Sequence, residues 1–144
     1  MLFRSLADAG IAVPVDDRRL IVEIPDQPLE VLLARTDDIP TLVADGAADA
    51  GVAGGNQLLE HGDSGLAVLT ELGYGPCALV IAAPADSDIR AVRDLAGRRI
   101  ATSHPNLLQR HLAAADVEAS IVALSGSIEL APAIGAADAV CDLV

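Results

Sequence analysis

With one Phe, one Tyr and no Trp among its 144 residues, this chain cannot build its interior on large aromatic anchors. Ala, Val, Leu and Ile must fill the core. Such side chains let backbones approach closely, which favours helices packed on a largely parallel sheet. The length suffices for one ordinary domain, or for two small lobes joined by a linker. Short apolar runs alternate with helical segments throughout, the apolar runs lack clean polar alternation, and the turns between them are short. That is the pattern of α/β units on sheets covered on both faces.

Charge narrows the range of partners. Twenty-one acidic residues against nine basic ones, all Arg, leave a formal charge of −12, which argues against general binding of nucleic acid or of an anionic membrane surface. Phosphate ligands remain compatible, because a local Arg cluster and a divalent cation can reverse the field at one place. Cys77 and Cys141 lack metal-ligand spacing, and Cys141, inside an apolar run, reads as a buried free thiol in a reducing compartment. His104 and His111 have no carboxylate at ligand spacing, so no metal site is expected there. No stretch approaches the roughly twenty apolar residues of a membrane span, and no signal-peptide pattern opens the chain. The chain reads as soluble and cytoplasmic.

In order, Met1 to Ala9 reads as the tail of an amphipathic helix ended at Gly10. Asp16 to Ile24 reads as a charged loop into a strand, and Val31 to Ala34 as a second strand. A helix capped by Thr36 or Asp37 should stop at Gly46 and lead into a small-residue strand by Gly54. Gln57 to His61 is expected to be helix, and Leu66 to Leu72 and Cys77 to Ala83 strands. A helix capped by Asp86-Ser87-Asp88 should run through Leu95. Strand Arg98 to Thr102, helix Leu107 to Ala115 and strand Glu118 to Leu124 complete the series. Tyr74 is read as a packing residue. A boundary near residue 84 divides the chain into lobes 1–83 and 84–144.

The last twenty residues carry the densest signal. Ser125, Gly126 and Ser127 can present backbone N–H groups to a ligand without side-chain obstruction, and a helix after them would point its positive end at the same place. Phosphate is the natural guest. The spacing of Glu129, Gly135, Ala137, Val140, Asp142 and Leu143 resembles the signature of the ATP phosphoribosyltransferases, the first enzymes of histidine biosynthesis. The run Asp38-Ile39-Pro40, a helix, then Gly46, Asp49, Gly51 and Gly54 resembles a second family pattern. A third is the order of helix, Gly97, Arg98-Arg99, strand, Thr102, turn and Pro105-Asn106.

The resemblance implies transfer of the ribose 5-phosphate unit of phosphoribosyl pyrophosphate to N1 of ATP, with Mg²⁺ on the pyrophosphate. It implies a two-lobe fold of the type II periplasmic-binding kind, with parallel-dominated sheets and the active site between the lobes. Arg18, read from sequence as half of a solvated pair with Arg19, becomes by resemblance the group that stabilises the leaving pyrophosphate. Asp49 either holds a ribose hydroxyl or caps a turn. The resemblance places Ser125, Gly126, Ser127, Glu129 and Asp142 on substrate, Asp142 addressing ribose hydroxyls or ordering a following loop. It also implies a homo-oligomer, or a hetero-oligomer with a regulatory subunit resembling histidyl-tRNA synthetase. Where family members carry Lys-Asp, this chain has Gly55-Asn56. Members also have a strand and Lys-Gly-Arg turn ahead of Met1 and a Ser/Thr-Gly-x-Thr loop after Val144. The expected fold is therefore truncated at both ends, and the 144 residues alone are expected to be inactive. The alternative is a non-catalytic small-anion-binding module, or a degenerate subunit, of the same two-lobe design.

Overall fold

The computed structural model describes residues 6–14, 19–62 and 65–144. They form two compact units, Met1–Leu58 with Asp63–Ala67, and Leu59–Gly62 with Val68–Val144. The expected division at residues 83 and 84 falls later than this one. The difference comes from strand β3 (Leu79–Ala82), which pairs antiparallel with β6 (Ala139–Leu143) and so belongs to the C-terminal sheet.

In the first unit, β1 (Ile21–Glu23) and β2 (Glu30–Leu32) form an antiparallel hairpin, with Val22 opposite Val31. This hairpin is an antiparallel exception to the parallel-dominated pairing expected from the sequence. The two strands are joined by a turn too short for a crossover helix, and Asp26 within it adopts φ +62°, so antiparallel pairing is the accessible one. Helix α1 (Ile39–Ala44) has Asp38 in the capping position rather than Thr36 or Asp37, with Pro40 in its first turn, where a missing N–H costs nothing. Gly46 ends it at φ +74°. The Gly46 N–H donates to Val43 O and the Ala47 N–H to Leu42 O, closing the helix end. The anticipated strand at Ala47 to Gly54 is instead turns and extended chain without pairing.

Gly51 lies hard against α1. A β-carbon there would sit 2.5 Å from Ile39 Cγ2 and 3.1 Å from Val43 Cγ2. Both obstacles are methyls on stiff β-branched side chains. Gly51→Ala is therefore expected to destabilise the protein by about 1–3 kcal/mol, measured as a fall in the urea unfolding midpoint. An unchanged midpoint would mean that the loop and α1 separate without cost.

The second unit holds a four-stranded sheet in the order β3-β6-β4-β5, where β4 is Arg99–Thr102 and β5 is Ser120–Ala123. The central strand β4 runs parallel to both β5 and β6, and only β3 is antiparallel. Alternation along the strands sends side chains to two faces. On one, Ile100, Ala139 and Cys141 pack with Leu95, Leu108 and Leu112 beneath helix α3 (Pro105–Ala114). On the other, Ala101 packs with Ile128, Ala131 and Ala137, and Val122 and Val140 lie against them. Among the described residues the buried hydrophobic core contains no Phe or Tyr, in keeping with the composition. Cys141 is buried and Cys77 exposed; burial raises the Cys141 thiol pKa.

Three further expected elements are absent or shortened. Leu66 to Leu72 makes no strand, and Val68 and Leu69 are 66% and 84% exposed; an apolar run without a strand to pair with gains no ladder. The helix expected through Leu95 is reduced to a 3-10 turn at Val92–Leu95. Here side chains take the amides a longer helix would need: Asp94 Oδ2 accepts from the N–H of Arg90 at 2.9 Å and of Ala91 at 2.8 Å. The helix expected after Ser127 is a 3-10 turn at Ile128–Leu130. Pro132 has no N–H to return to Ile128, and Gly135 turns away at φ +72°.

The parallel strands are stitched at their start by Asp138. Its Oδ2 accepts from Arg99 N–H at 2.8 Å, its own N–H donates to Arg99 O at 2.8 Å, and its Oδ1 meets the Arg99 guanidinium at 3.4 Å. The amide bond from Arg99, followed by that side chain, holds the Asp138 carboxyl below its usual pKa despite some desolvation. A carboxyl whose pKa is lower folded than unfolded stabilises above its unfolded value, and that contribution disappears as pH falls through the folded value. Asp138→Ala is expected to cost about 1–2 kcal/mol near neutrality. The gap between parent and variant unfolding midpoints should shrink below about pH 4; a gap independent of pH would contradict the charge's role.

Candidate functional site

In open α/β sheets ligands gather beyond the carboxyl ends of the strands. At this end of the second unit, β4 runs into Ser103-His104, β5 into Ser125-Gly126-Ser127, and β6 ends at Leu143. Leu124 N–H donates to Thr102 O at 2.9 Å, which carries the β4–β5 pairing to the edge of the turn.

Ser125, Gly126 and Ser127 are exposed, and their backbone N–H groups donate to no acceptor among the described residues. Ser127 takes a left-handed conformation, φ +51°, as the bend enters the 3-10 turn. The turn thus offers amide donors, but the helix dipole expected behind them is missing, because three residues of 3-10 turn align too few peptide groups. Ile128 anchors the segment against Ala101, and Val140 packs there too. Asp142 is two residues beyond Val140 and shares its face of β6; it is half-buried and accepts the N–H of Leu143 at 2.8 Å. Amide donors and a carboxylate acceptor therefore lie at one end of the sheet. Glu129 is exposed within the same 3-10 turn.

Of the other expected residues, Asp49 is exposed and lies in the first unit, in the bends that follow α1. Arg18 lies outside the described residues.

The turn after β4 holds polar groups that sequence reasoning passed over. Thr102 is fully buried and His104 is 3% exposed. Thr102 Oγ1 accepts from His104 N–H at 2.9 Å, and Ser103 Oγ lies 2.9 Å from His104 Nδ1. The sequence signal was Thr102 and Pro105-Asn106 flanking a strand-to-helix turn; what it lacked was any sign that the ring between them turns inward. Glu60 was missed altogether. Its carboxylate accepts the N–H groups of Asn106 and Leu107, each at 2.8 Å, across a separation no local pattern could reveal.

Among the described residues no group of three or more His, Cys, Asp or Glu is gathered to hold a metal ion, and no helix is long and apolar enough to cross a membrane. The site's chemistry is that of hydrogen bonding to a polar, oxygen-rich ligand. Backbone amides can bind phosphate oxygens, and the Asp142 carboxylate can accept from hydroxyls.

The family model for HisG, ATP phosphoribosyltransferase, matches residues 35–144, which includes every described element from α1 onward. An ATP phosphoribosyltransferase of Halorubrum lacusprofundi is 43% identical over 88% of this chain and 46% of its own length. One of Burkholderia cenocepacia is 44% identical over 96% of this chain and 66% of its own length. The chain thus spans about half to two thirds of the curated relatives it matches. The structure of an ATP phosphoribosyl transferase HisG:HisZ complex from Thermotoga maritima superposes with a TM-score of 0.79 at 27% identity, covering 99% of this chain and 67% of that one. A matched model over most of the chain, relatives above 40% identity and the shared α/β architecture place this chain in the ATP phosphoribosyltransferase family.

Proposed function

We propose that this chain forms part of an enzyme that transfers ribose 5-phosphate from phosphoribosyl pyrophosphate to N1 of ATP and releases pyrophosphate. The observation that carries the reading is that unpaired amide donors at Ser125 to Ser127 and the Asp142 carboxylate stand at the same end of the sheet, in a chain of this family. Donors of that kind suit the phosphate of the ribose unit, and the carboxylate suits its hydroxyls. Asp49 is proposed to hold a ribose hydroxyl, and Glu129 to shape the phosphate turn.

The reaction needs little covalent help from the protein. As the bond from ribose C1 to pyrophosphate loosens, positive charge grows on the ring and negative charge on the leaving group. The ATP N1 lone pair then forms the new bond to C1. The protein must align two polyanions and neutralise the departing one. Mg²⁺ arrives with the pyrophosphate as part of the substrate, and Arg18 is the proposed second neutralising group, since a guanidinium binds phosphate oxygens bidentately and stays charged.

The proposed architecture is the two-lobe, type II periplasmic-binding-like fold, in a cytoplasmic enzyme. The neighbouring Thermotoga maritima assembly supports a hetero-oligomer in which a HisZ-type subunit, resembling histidyl-tRNA synthetase, regulates catalysis; a homo-oligomer is the other arrangement. Equilibrium binding tests the substrate assignment. The protein should bind the Mg²⁺ complex of phosphoribosyl pyrophosphate, and Asp142→Ala should weaken that binding by about tenfold or more. Undiminished binding by the variant would remove Asp142 from the site.

A further inference from the structure

We propose that Glu60 is a positioning residue: it caps helix α3 from a distant point in the chain and thereby fixes the Ser103-His104 turn at the carboxyl end of the central strand. The substrate part of this inference rests on the functional reading above. Glu60 belongs to helix α2 (Gly55–His61), whose last residues, Leu59–Gly62, are part of the same compact unit as α3.

A helix leaves its first amides without partners, and they must be satisfied from outside. In α3 the first position is Pro105, which has no N–H, and the Leu108 N–H already donates to His104 O at 3.0 Å. Two orphans remain, Asn106 and Leu107. His104, in the capping position, makes no side-chain cap bond. Glu60 supplies both missing acceptors, Oε1 to Asn106 and Oε2 to Leu107, each at 2.8 Å. The carboxylate also places negative charge at the positive end of a ten-residue helix.

The capping is reciprocal. Asn106 Nδ2 donates to Glu60 O at 3.1 Å, and the Arg110 guanidinium donates to Leu59 O. Carbonyls left over at the end of α2 are therefore satisfied by side chains of α3, while amides left over at the start of α3 are satisfied by a side chain of α2. The start of α3 takes no side-chain cap from His104 in front of it. The clasp sits directly behind the turn that leaves β4, where Thr102 Oγ1 holds the His104 amide and Ser103 meets the His104 ring. Burial raises the Cys141 thiol pKa most, a hydrogen bond with Thr102 opposes the rise, and the charges of Asp142 and Glu60 add to it. Releasing the clasp frees the start of α3 and with it the turn beside the proposed phosphoribosyl site.

Amide hydrogen exchange and ligand binding on the protein with Glu60→Ala and Glu60→Gln test this. In Glu60→Ala, exchange at Asn106 and Leu107 should accelerate at least tenfold while Leu112, deeper in the helix, keeps its protection. Affinity for the Mg²⁺ complex of phosphoribosyl pyrophosphate should fall at least tenfold. Added acetate should restore part of both, because a small carboxylate can enter the space left by the side chain. Glu60→Gln, which keeps one acceptor oxygen, should fall between parent and Glu60→Ala. Unchanged exchange at the two amides, a uniform loss of protection along α3, or opened amides with undiminished binding would each overturn the proposal. A parent protein that binds no phosphoribosyl pyrophosphate would instead defeat the functional reading, and the exchange data would still decide whether Glu60 caps the helix.

Discussion

Leu108→Ala is expected to remove about 2–5 kcal/mol of stability, the range for deleting a fully buried Leu from a packed core. Leu108 is 0% exposed, in the same cluster as Ile100, Leu95, Leu112 and Cys141, where it joins α3 to the sheet. Because no aromatic ring lies in that core, the gap cannot be closed by tilting a large neighbour, and the loss should fall in the upper part of the range. Net stabilities of single domains are about 5–15 kcal/mol, so the variant should approach unfolding at moderate temperature. Urea titration followed by circular dichroism measures this. A loss below about 1 kcal/mol would mean that α3 is not seated on the sheet as described.

Arg18→Ala should have the largest effect on catalysis, lowering kcat roughly 10²–10³-fold while changing KM for ATP much less. The reason is the timing of charge: pyrophosphate gains negative charge only as its bond to ribose breaks, so a group that meets it there stabilises the transition state more than bound substrate. Arg18→Lys should recover little, because an ammonium cannot reproduce bidentate binding. Steady-state kinetics on the protein expressed from its complete gene decides this. A variant with parental kcat, or one altered only in KM, would return Arg18 to the role of a solvated surface charge.

What was legible in the sequence was the C-terminal sheet. The strands expected at Cys77 to Ala83, Arg98 to Thr102 and Glu118 to Leu124 became β3, β4 and β5, and the helix expected at Leu107 to Ala115 became α3. Positions where glycine had to turn the chain, such as Gly46 and Gly97, were legible too, and both adopt positive φ. Misread segments share one cause, competition that local pattern does not encode. Asp94 draws off the amides of Arg90 and Ala91, Pro132 cuts short the helix that would have stood behind Ser127, and Leu66 to Leu72 has strand composition but no strand beside it. At the candidate site, Asp142 was singled out by the family spacing and the Ser125 turn by its run of small residues. Glu60 was not, because its partners Asn106 and Leu107 meet it only once the chain is folded.

The most direct test of the central claim is product formation. The protein expressed from its complete gene, purified and incubated with ATP, phosphoribosyl pyrophosphate and Mg²⁺, should yield N1-phosphoribosyl-ATP and an equal amount of pyrophosphate, identified by mass spectrometry. Formation of both, lost when either substrate is omitted, is the predicted result. A folded protein that consumes neither substrate, alone or with a HisZ-type subunit added, would contradict the account.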